Sequence, residues 1–198
     1  MTGTGETADR VLSLLRETGA LLEGHFLLSS GLHSERYFQC ARLLQHPVLA
    51  AEVGRILADA CRDLGAETVV SPALGGVIIG HEVGRALGTR ALFVERHEGA
   101  LCLRRGFELT PGEKVLVIED VVTTGRSSQE AAAAIREAGG EVLGLGAIVD
   151  RSGGVKIPYP FRSLLGLKTP AFEARDCPFC LKGKRPLTKP GSRTPAVP

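Results

Sequence analysis

Val115-Leu116-Val117-Ile118-Glu119-Asp120-Val121-Val122-Thr123-Thr124-Gly125-Arg126-Ser127-Ser128 sets four apolar residues before two adjacent acids, then a Thr/Gly/Ser-rich turn. Gln129-Glu130 and an alanine-rich segment follow. The pattern predicts a buried strand, a polar loop and a helix N-terminus. Such a loop turns backbone N–H groups, hydroxyls and a positive helix end toward one small anion. The acids stand where the strand ends, beside that anion. A phosphate cradle next to two carboxylates suits a sugar phosphate, with N–H groups for the phosphate and acids for the ribose hydroxyls.

The same grammar recurs outward from this run. Residues 68–71 are a short β-branched run, 72–76 (Pro-Ala-Leu-Gly-Gly) a turn, and 77–87 a helix ended by Gly88. Residues 91–95 and 142–149 read as further strands, and 161–167 as a last one. Helices are expected over 8–18, where Val11, Leu12, Leu14 and Leu15 share a face, over 48–64 after Pro47, and over 127–138 before Gly139-Gly140. Residues 21–39 read as irregular and 97–112 as an exposed hairpin. Repeated strand–turn–helix units imply right-handed crossovers and a parallel sheet with helices on both faces, an α/β fold. Ligands of such sheets bind at the carboxyl ends of the strands. Three polar turns fall there, at 72–76, 119–127 and 150–154, and one site is expected among them.

Composition sets the bounds. At 198 residues, one domain is expected, and 43% hydrophobic residues suffice for a core. Aromatic residues make up 5% and there is no Trp, which argues against a stacking platform for single-stranded nucleic acid. A net charge of +2 is too small for a general polyanion binder. Residues 1–10 are polar and carry acids, unlike a secretory leader, and no apolar run approaches the roughly 20 residues of a spanning helix. No nucleic-acid or membrane partner is expected, and the compartment reads as cytoplasmic. Five cysteines at irregular spacing read as free thiols in a reducing compartment.

From Thr169 the chain turns proline-rich and basic, so residues 1–168 are expected to form the domain and 169–198 an irregular tail, packed or loose. Cys177-Pro178-Phe179-Cys180 invites a zinc reading, but a structural site wants four ligands and no second Cys or His pair follows in the tail. No metal-ligating residue is assigned on this basis; a pair of free or redox-sensitive thiols is the expectation.

Two acids, two apolar residues and Thr-Thr-Gly before a helix resemble the diphosphate-sugar signature of the type I phosphoribosyltransferases. Residues 26–34 (Phe-Leu-Leu-Ser-Ser-Gly-Leu-His-Ser) with Tyr37-Phe38, residues 71–76 (Ser-Pro-Ala-Leu-Gly-Gly) and residues 147–154 (Ala-Ile-Val-Asp-Arg-Ser-Gly-Gly) extend the resemblance to the orotate phosphoribosyltransferases, over nearly the whole chain before the tail. The resemblance implies the type I phosphoribosyltransferase fold, with an N-terminal hood over about 1–45 and a mobile hairpin loop over 96–112. It implies Mg²⁺-dependent transfer of a ribosyl phosphate from 5-phosphoribosyl 1-diphosphate to orotate, in pyrimidine biosynthesis, by a homodimer. The diphosphate sugar then falls to Glu119, Asp120, Val121, Val122, Thr123, Thr124, Gly125, Arg126 and Ser127, with Leu74, Gly75 and Arg96. Orotate falls to Arg151 and Thr123, with Ser29 and Phe38. A guanidinium fork suits the acceptors of an acidic pyrimidine better than an ammonium would. Arg151 can also be read as a solvated strand-end arginine, Phe38 as core, and residues 72–76 as a plain turn.

The chain departs from the family in its loop, where lysines and a histidine commonly close over the diphosphate. No lysine precedes Lys114 here. Arg96, Arg104 and Arg105 are the available cations, expected, with Asp120, to act in catalysis; Arg104-Arg105 also reads as a solvated hairpin edge. Arginine neutralises charge but does not readily give up a proton, which leaves His97 as an open candidate donor. Two rivals remain. A purine phosphoribosyltransferase would share residues 119–127 but not the Ser29–Gly31 region or Arg151. A nucleic-acid-binding regulator with a sugar-diphosphate sensor would use the basic tail.

Overall fold

The protein, seen in a computed structural model, is described over residues 5–28, 30–167, 169–183 and 185–190. Helix α1 (Gly5–Glu17) leads into an antiparallel hairpin of β1 (Leu21–Leu27) and β2 (His33–Phe38). Helices α2 (Ala41–Leu44) and α3 (Pro47–Cys61) follow, then β3 (Thr68–Pro72), α4 (Gly75–Leu87), β4 (Arg90–His97) and β5 (Ala100–Leu103). The chain continues through β6 (Lys114–Val122), α5 (Arg126–Glu137), β7 (Glu141–Asp150) and β8 (Phe161–Gly166). It ends with β9 (Ala171–Phe172) and α6 (Pro178–Lys182).

The main sheet has the order β5-β4-β3-β6-β7-β8, parallel except for the antiparallel edge strand β5. The sheet grows from β3 to β4 in one direction and then restarts with β6 on the other side of β3. That reversal opens a crevice between the carboxyl ends of β3 and β6, where ligands of open α/β sheets bind. Alternation along β6 separates two cores. Leu116 and Ile118 join Val11, Leu15, Leu57, Ile79 and Leu164 beneath α1, α3 and α4. Val115 and Val117 join Val70, Val94, Ile135 and Leu145 beneath α5. A strand buried on both faces thus reads as one unbroken apolar run.

Helix α4 lies unusually close to the sheet because its inward stripe is glycine. A Cβ on Gly76 would stand 2.8 Å from the Ile118 carbonyl oxygen, one on Gly84 2.9 Å from Ala91 Cβ, and one on Gly80 would overlap the Ser71 hydroxyl. Three glycines four residues apart therefore set the depth at which the helix N-terminus meets β6.

Four expectations need correction. Residues 21–39 are the β1–β2 hairpin rather than irregular. Its alternation is hidden by a register break between Glu23 and Phe26, where His25 and Phe26 are buried in succession. The strand expected to end at Ile118 runs on to Val122, so both acids are strand residues. The tail is not irregular over its described part: β9 pairs with β2, and Thr188 bridges Phe26. The hairpin expected over 97–112 is displaced toward the N-terminus: β4 and β5 pair residues 94–97 with 100–103 about a turn at Glu98-Gly99, and residues 104–112 carry no strand.

Candidate active site

Successive strand residues face opposite sides, so Glu119 and Asp120 leave β6 in different directions. Glu119 is buried and accepts a hydrogen bond from the Ser128 hydroxyl, 2.7 Å away in the first turns of α5. Burial pushes its carboxyl up to about 7, the Ser128 hydrogen bond pulls it down, and the neighbouring Asp120 charge adds to the rise. Asp120 faces the start of α4, where a Cβ on Gly75 would sit 2.7 Å from Oδ1. Burial raises the Asp120 carboxyl as well, countered by backbone N–H groups of Val121 and Asp120. The first turns of two helices therefore meet the two acids, one on each face of the same strand end.

Val121 and Val122 divide between the two cores as side chains, and in β6 they pair with Val149 and Asp150. The Val122 carbonyl accepts the Arg151 N–H at 2.8 Å. What they offer a ligand is position. Thr123, Thr124, Arg126 and Ser127 are exposed around Gly125, whose φ of +71° turns the chain into α5. Glycine adopts that angle without the strain a Cβ brings. Thr124 Oγ1 accepts the Arg126 N–H at 3.4 Å. The first-turn N–H groups of α5 have no partner within the helix, and the helix end carries positive charge. Leu74, across the crevice, is 87% exposed and precedes α4 beside a cis Ala73–Leu74 peptide.

Arg151 stands at the end of β7. Its Cζ lies 5.5 Å over the Phe38 ring, and its buried Nε has no hydrogen-bond partner among the described residues. Burial lowers its pKa and the nearby Tyr37 opposes this; an arginine remains cationic at any working pH. Phe38 is buried in the core and also carries the guanidinium on its ring, so packing and pocket roles coincide. Ser29 lies outside the described residues.

The loop cations are held by acids. Arg96 bridges to Glu130 of α5 at 2.5 Å, and Arg126 reaches the same carboxylate at 2.7 Å. Arg105 and Arg104 lie 2.9 and 3.8 Å from Glu95, and Arg105 also covers the Phe93 ring. The Arg105 hydrogen bond holds the Glu95 carboxyl below its ordinary range. In this conformation both arginines rest on their own hairpin. Sequence reasoning missed Glu130, although an arginine four residues before a glutamate on one helix is a readable pair. Ser128 gave no such signal, because its contact with Glu119 exists only once α5 has docked.

A hollow lined by Thr68, Arg90 and Glu113 lies at the opposite, amino ends of β3, β4 and β6. Its polar walls bond to one another, with Arg90 2.8 Å from Glu113. The unpartnered donor and the desolvated acids lie instead at the carboxyl ends.

A family model of the phosphoribosyl transferase domain matches residues 39–165. The orotate phosphoribosyltransferase of Pelotomaculum thermopropionicum is 49% identical over 188 residues, 94% of this chain and 98% of that protein. That of Thermotoga maritima is 52% identical over 184 residues, 92% and 98% of the two chains. Among solved structures, Mycobacterium tuberculosis orotate phosphoribosyltransferase in complex with inorganic phosphate superposes with a TM-score of 0.67 at 27% identity. That match covers 82% of this chain and 97% of that one. A structure of the same enzyme in complex with 5-phospho-alpha-D-ribosyl 1-diphosphate gives 0.63 at 26% identity, covering 83% and 91%. With a strand-end acid pair, a glycine-turned helix N-terminus and a half-buried arginine at the carboxyl ends of its sheet, the chain belongs to the phosphoribosyltransferase family, among its orotate phosphoribosyltransferases.

Proposed function

We propose that this protein transfers the ribosyl phosphate of 5-phosphoribosyl 1-diphosphate to orotate, giving orotidine 5'-phosphate and diphosphate on the route to UMP. The observation that carries the reading is Arg151, a half-buried guanidinium whose Nε lacks an acceptor, seated on Phe38 beside the acid-bearing strand. A buried unpartnered donor costs about 1–3 kcal/mol, which an incoming carboxylate or carbonyl recovers. Orotate brings both groups. A purine base brings no carboxylate, which disfavours the purine rival.

The ring carbon must lose diphosphate and gain the base nitrogen through an oxocarbenium-like state, so the task is positioning and electrostatics. The N-terminus of α5 and the 123–127 turn hold the 5-phosphate, remote from the reacting bond, and that binding energy serves orientation. Glu119 and Asp120 accept the ribose hydroxyls, and their charge favours the positive ring. The backbone of Leu74 and Gly75 faces the diphosphate. The Asp120 carboxylate, opposite a glycine that leaves room for oxygen ligands, and the neighbouring Glu119 suit a hard cation such as Mg²⁺. Glu119 and Asp120 would hold it, largely through water, and its chemistry is neutralisation of diphosphate charge. Arg104 and Arg105, released from Glu95, and Arg96 add positive charge as the 96–112 hairpin closes like a lid. The resemblance also implies a homodimer, expected to sediment at twice the chain mass. Five free cysteines suit a reducing cytoplasm.

The test is an ultraviolet assay of orotate consumption with the sugar diphosphate and Mg²⁺, run beside adenine, hypoxanthine and uracil. Orotate alone should be converted; turnover of a purine without orotate refutes the reading.

A further inference from the structure

The tail lacks a second ligand pair for its Cys177-Pro178-Phe179-Cys180 knuckle, and the fold supplies one. His25 on β1 and His33 on β2 meet the two cysteines, and one candidate ligand atom from each of the four lies within 4.8 Å of the others. The contacts are 2.9 Å for His25 Nε2 to His33 Nδ1, and 3.4 and 3.7 Å for His25 Nε2 to the Sγ atoms of Cys177 and Cys180. Cys180 Sγ stands 3.3 Å from His33 Nδ1. Tetrahedral bonds of about 2.0–2.1 Å to nitrogen and 2.3 Å to sulfur give ligand edges of roughly 3.3–3.8 Å. These four separations lie within about half an ångström of such edges, and the remaining pairs stay within 4.8 Å, so a modest contraction encloses an ion.

Three further features fit a metal better than a chance cluster. His25, His33 and Cys177 are almost fully buried and Cys180 closes the cluster from its exposed side, so three of the four candidate ligands are already shielded from water. His25 Nδ1 lies 3.2 Å from the Arg185 carbonyl oxygen, the outer hydrogen bond that fixes an imidazole with its Nε2 lone pair inward. Phe179 stacks on the His25 ring at 5.4 Å, closing one side. Two thiolates and a dication balance in charge, which a buried site requires. Mixed imidazole and thiolate ligands in a tetrahedron select zinc.

We propose that His25, His33, Cys177 and Cys180 form a closed structural Zn²⁺ site that fastens the C-terminal tail to the N-terminal hairpin. Binding replaces the two thiol protons with metal–sulfur bonds and releases both to solvent. With four protein ligands no position is left for a substrate. The ion reinforces anchors already present, the β2–β9 pairing and the exchange of backbone hydrogen bonds between Thr188 and residues 25 and 27. It also pins the start of β2, the strand that ends at Phe38 beneath Arg151.

Untagged protein, purified in reductant without chelator, should carry one zinc per chain by elemental mass spectrometry. Metal-stripped protein titrated with Co²⁺ should develop the visible bands and sulfur-to-metal charge transfer of a tetrahedral S₂N₂ site, saturating at one equivalent. Cys177→Ser with Cys180→Ser should abolish them, and Cys102→Ser should retain them. Trypsin should cut the tail near Lys182 faster after chelation, and added Zn²⁺ should restore protection. If the double variant does not fold, the cobalt titration of the unaltered chain still reads the site. Absence of stoichiometric metal, absence of cobalt bands, or bands that survive in the double variant would overturn the proposal.

Discussion

Replacing Glu119 with Gln keeps the shape and the Ser128 hydrogen bond while removing a charge the fold buries at a cost. The carboxyl sits at about 7 against an ordinary 4.5, a rise of roughly 2.5 units, or about 3 kcal/mol at 1.36 kcal/mol per unit. The sign follows from proton counts. Between pH 4.5 and 7 the folded chain keeps a proton that the unfolded chain has lost, so stability falls as pH rises through that window. Below 4.5 both states hold the proton; above 7 the penalty is present in full. Glu119→Gln lacks this slope. Denaturant unfolding from pH 4 to 8.5, at fixed protein concentration, should show the variant gaining on the parent between pH 4.5 and 7. The gain should level off near 3 kcal/mol while transferase activity drops, the usual exchange of stability for function. Saturating sugar diphosphate should stabilise the parent more than the variant. A pH-independent difference, or a variant less stable than the parent at pH 8, would refute the reasoning.

Other perturbations separate the remaining roles. Arg151→Ala should raise KM for orotate roughly 10- to 150-fold, the 1.5–3 kcal/mol of a charge-assisted hydrogen bond, with KM for the sugar diphosphate little changed; equal losses would remove the base-pocket assignment. Asp120→Asn should lower kcat by about 100-fold or more with an unchanged circular dichroism spectrum, and near-normal turnover contradicts the ribose role. Gly75→Ala sets a methyl 2.7 Å from the Asp120 carboxylate; steady-state kinetics should show about tenfold lower turnover or worse. Gly54→Ala drives a methyl into Glu82 of α4, far from the chemistry. It should cost about 1–3 kcal/mol in denaturant unfolding and leave KM values intact.

The parallel sheet was legible because its signals are local. The apolar runs at 68–71 and 115–118 are each followed by a glycine-bearing turn and a helix with one apolar face, and the 115–128 run carries strand, acids and anion cradle in consecutive residues. The place of Arg151 was legible because it directly follows a strand, whereas its role toward orotate rests on the resemblance. The β1–β2 hairpin was not, since the register break at Glu23–Phe26 puts two buried residues in succession and destroys the period of two. Nor was the glycine stripe of α4, which matters only against the strands it touches. The storage of Arg104 and Arg105 on Glu95 depends on how the β4–β5 hairpin folds back.

Sequence by itself determined the order of strands and helices within the main sheet and the chemical character of its loops, because these follow from spacings of two to four residues. Tertiary structure decided which groups meet. The restart of the sheet at β6 sets Gly75 against Asp120, docking of α5 sets Ser128 on Glu119, and the return of the tail brings Cys180 to a histidine 155 residues earlier. Such contacts leave no trace in local pattern, because they are formed by packing and not by the backbone's period.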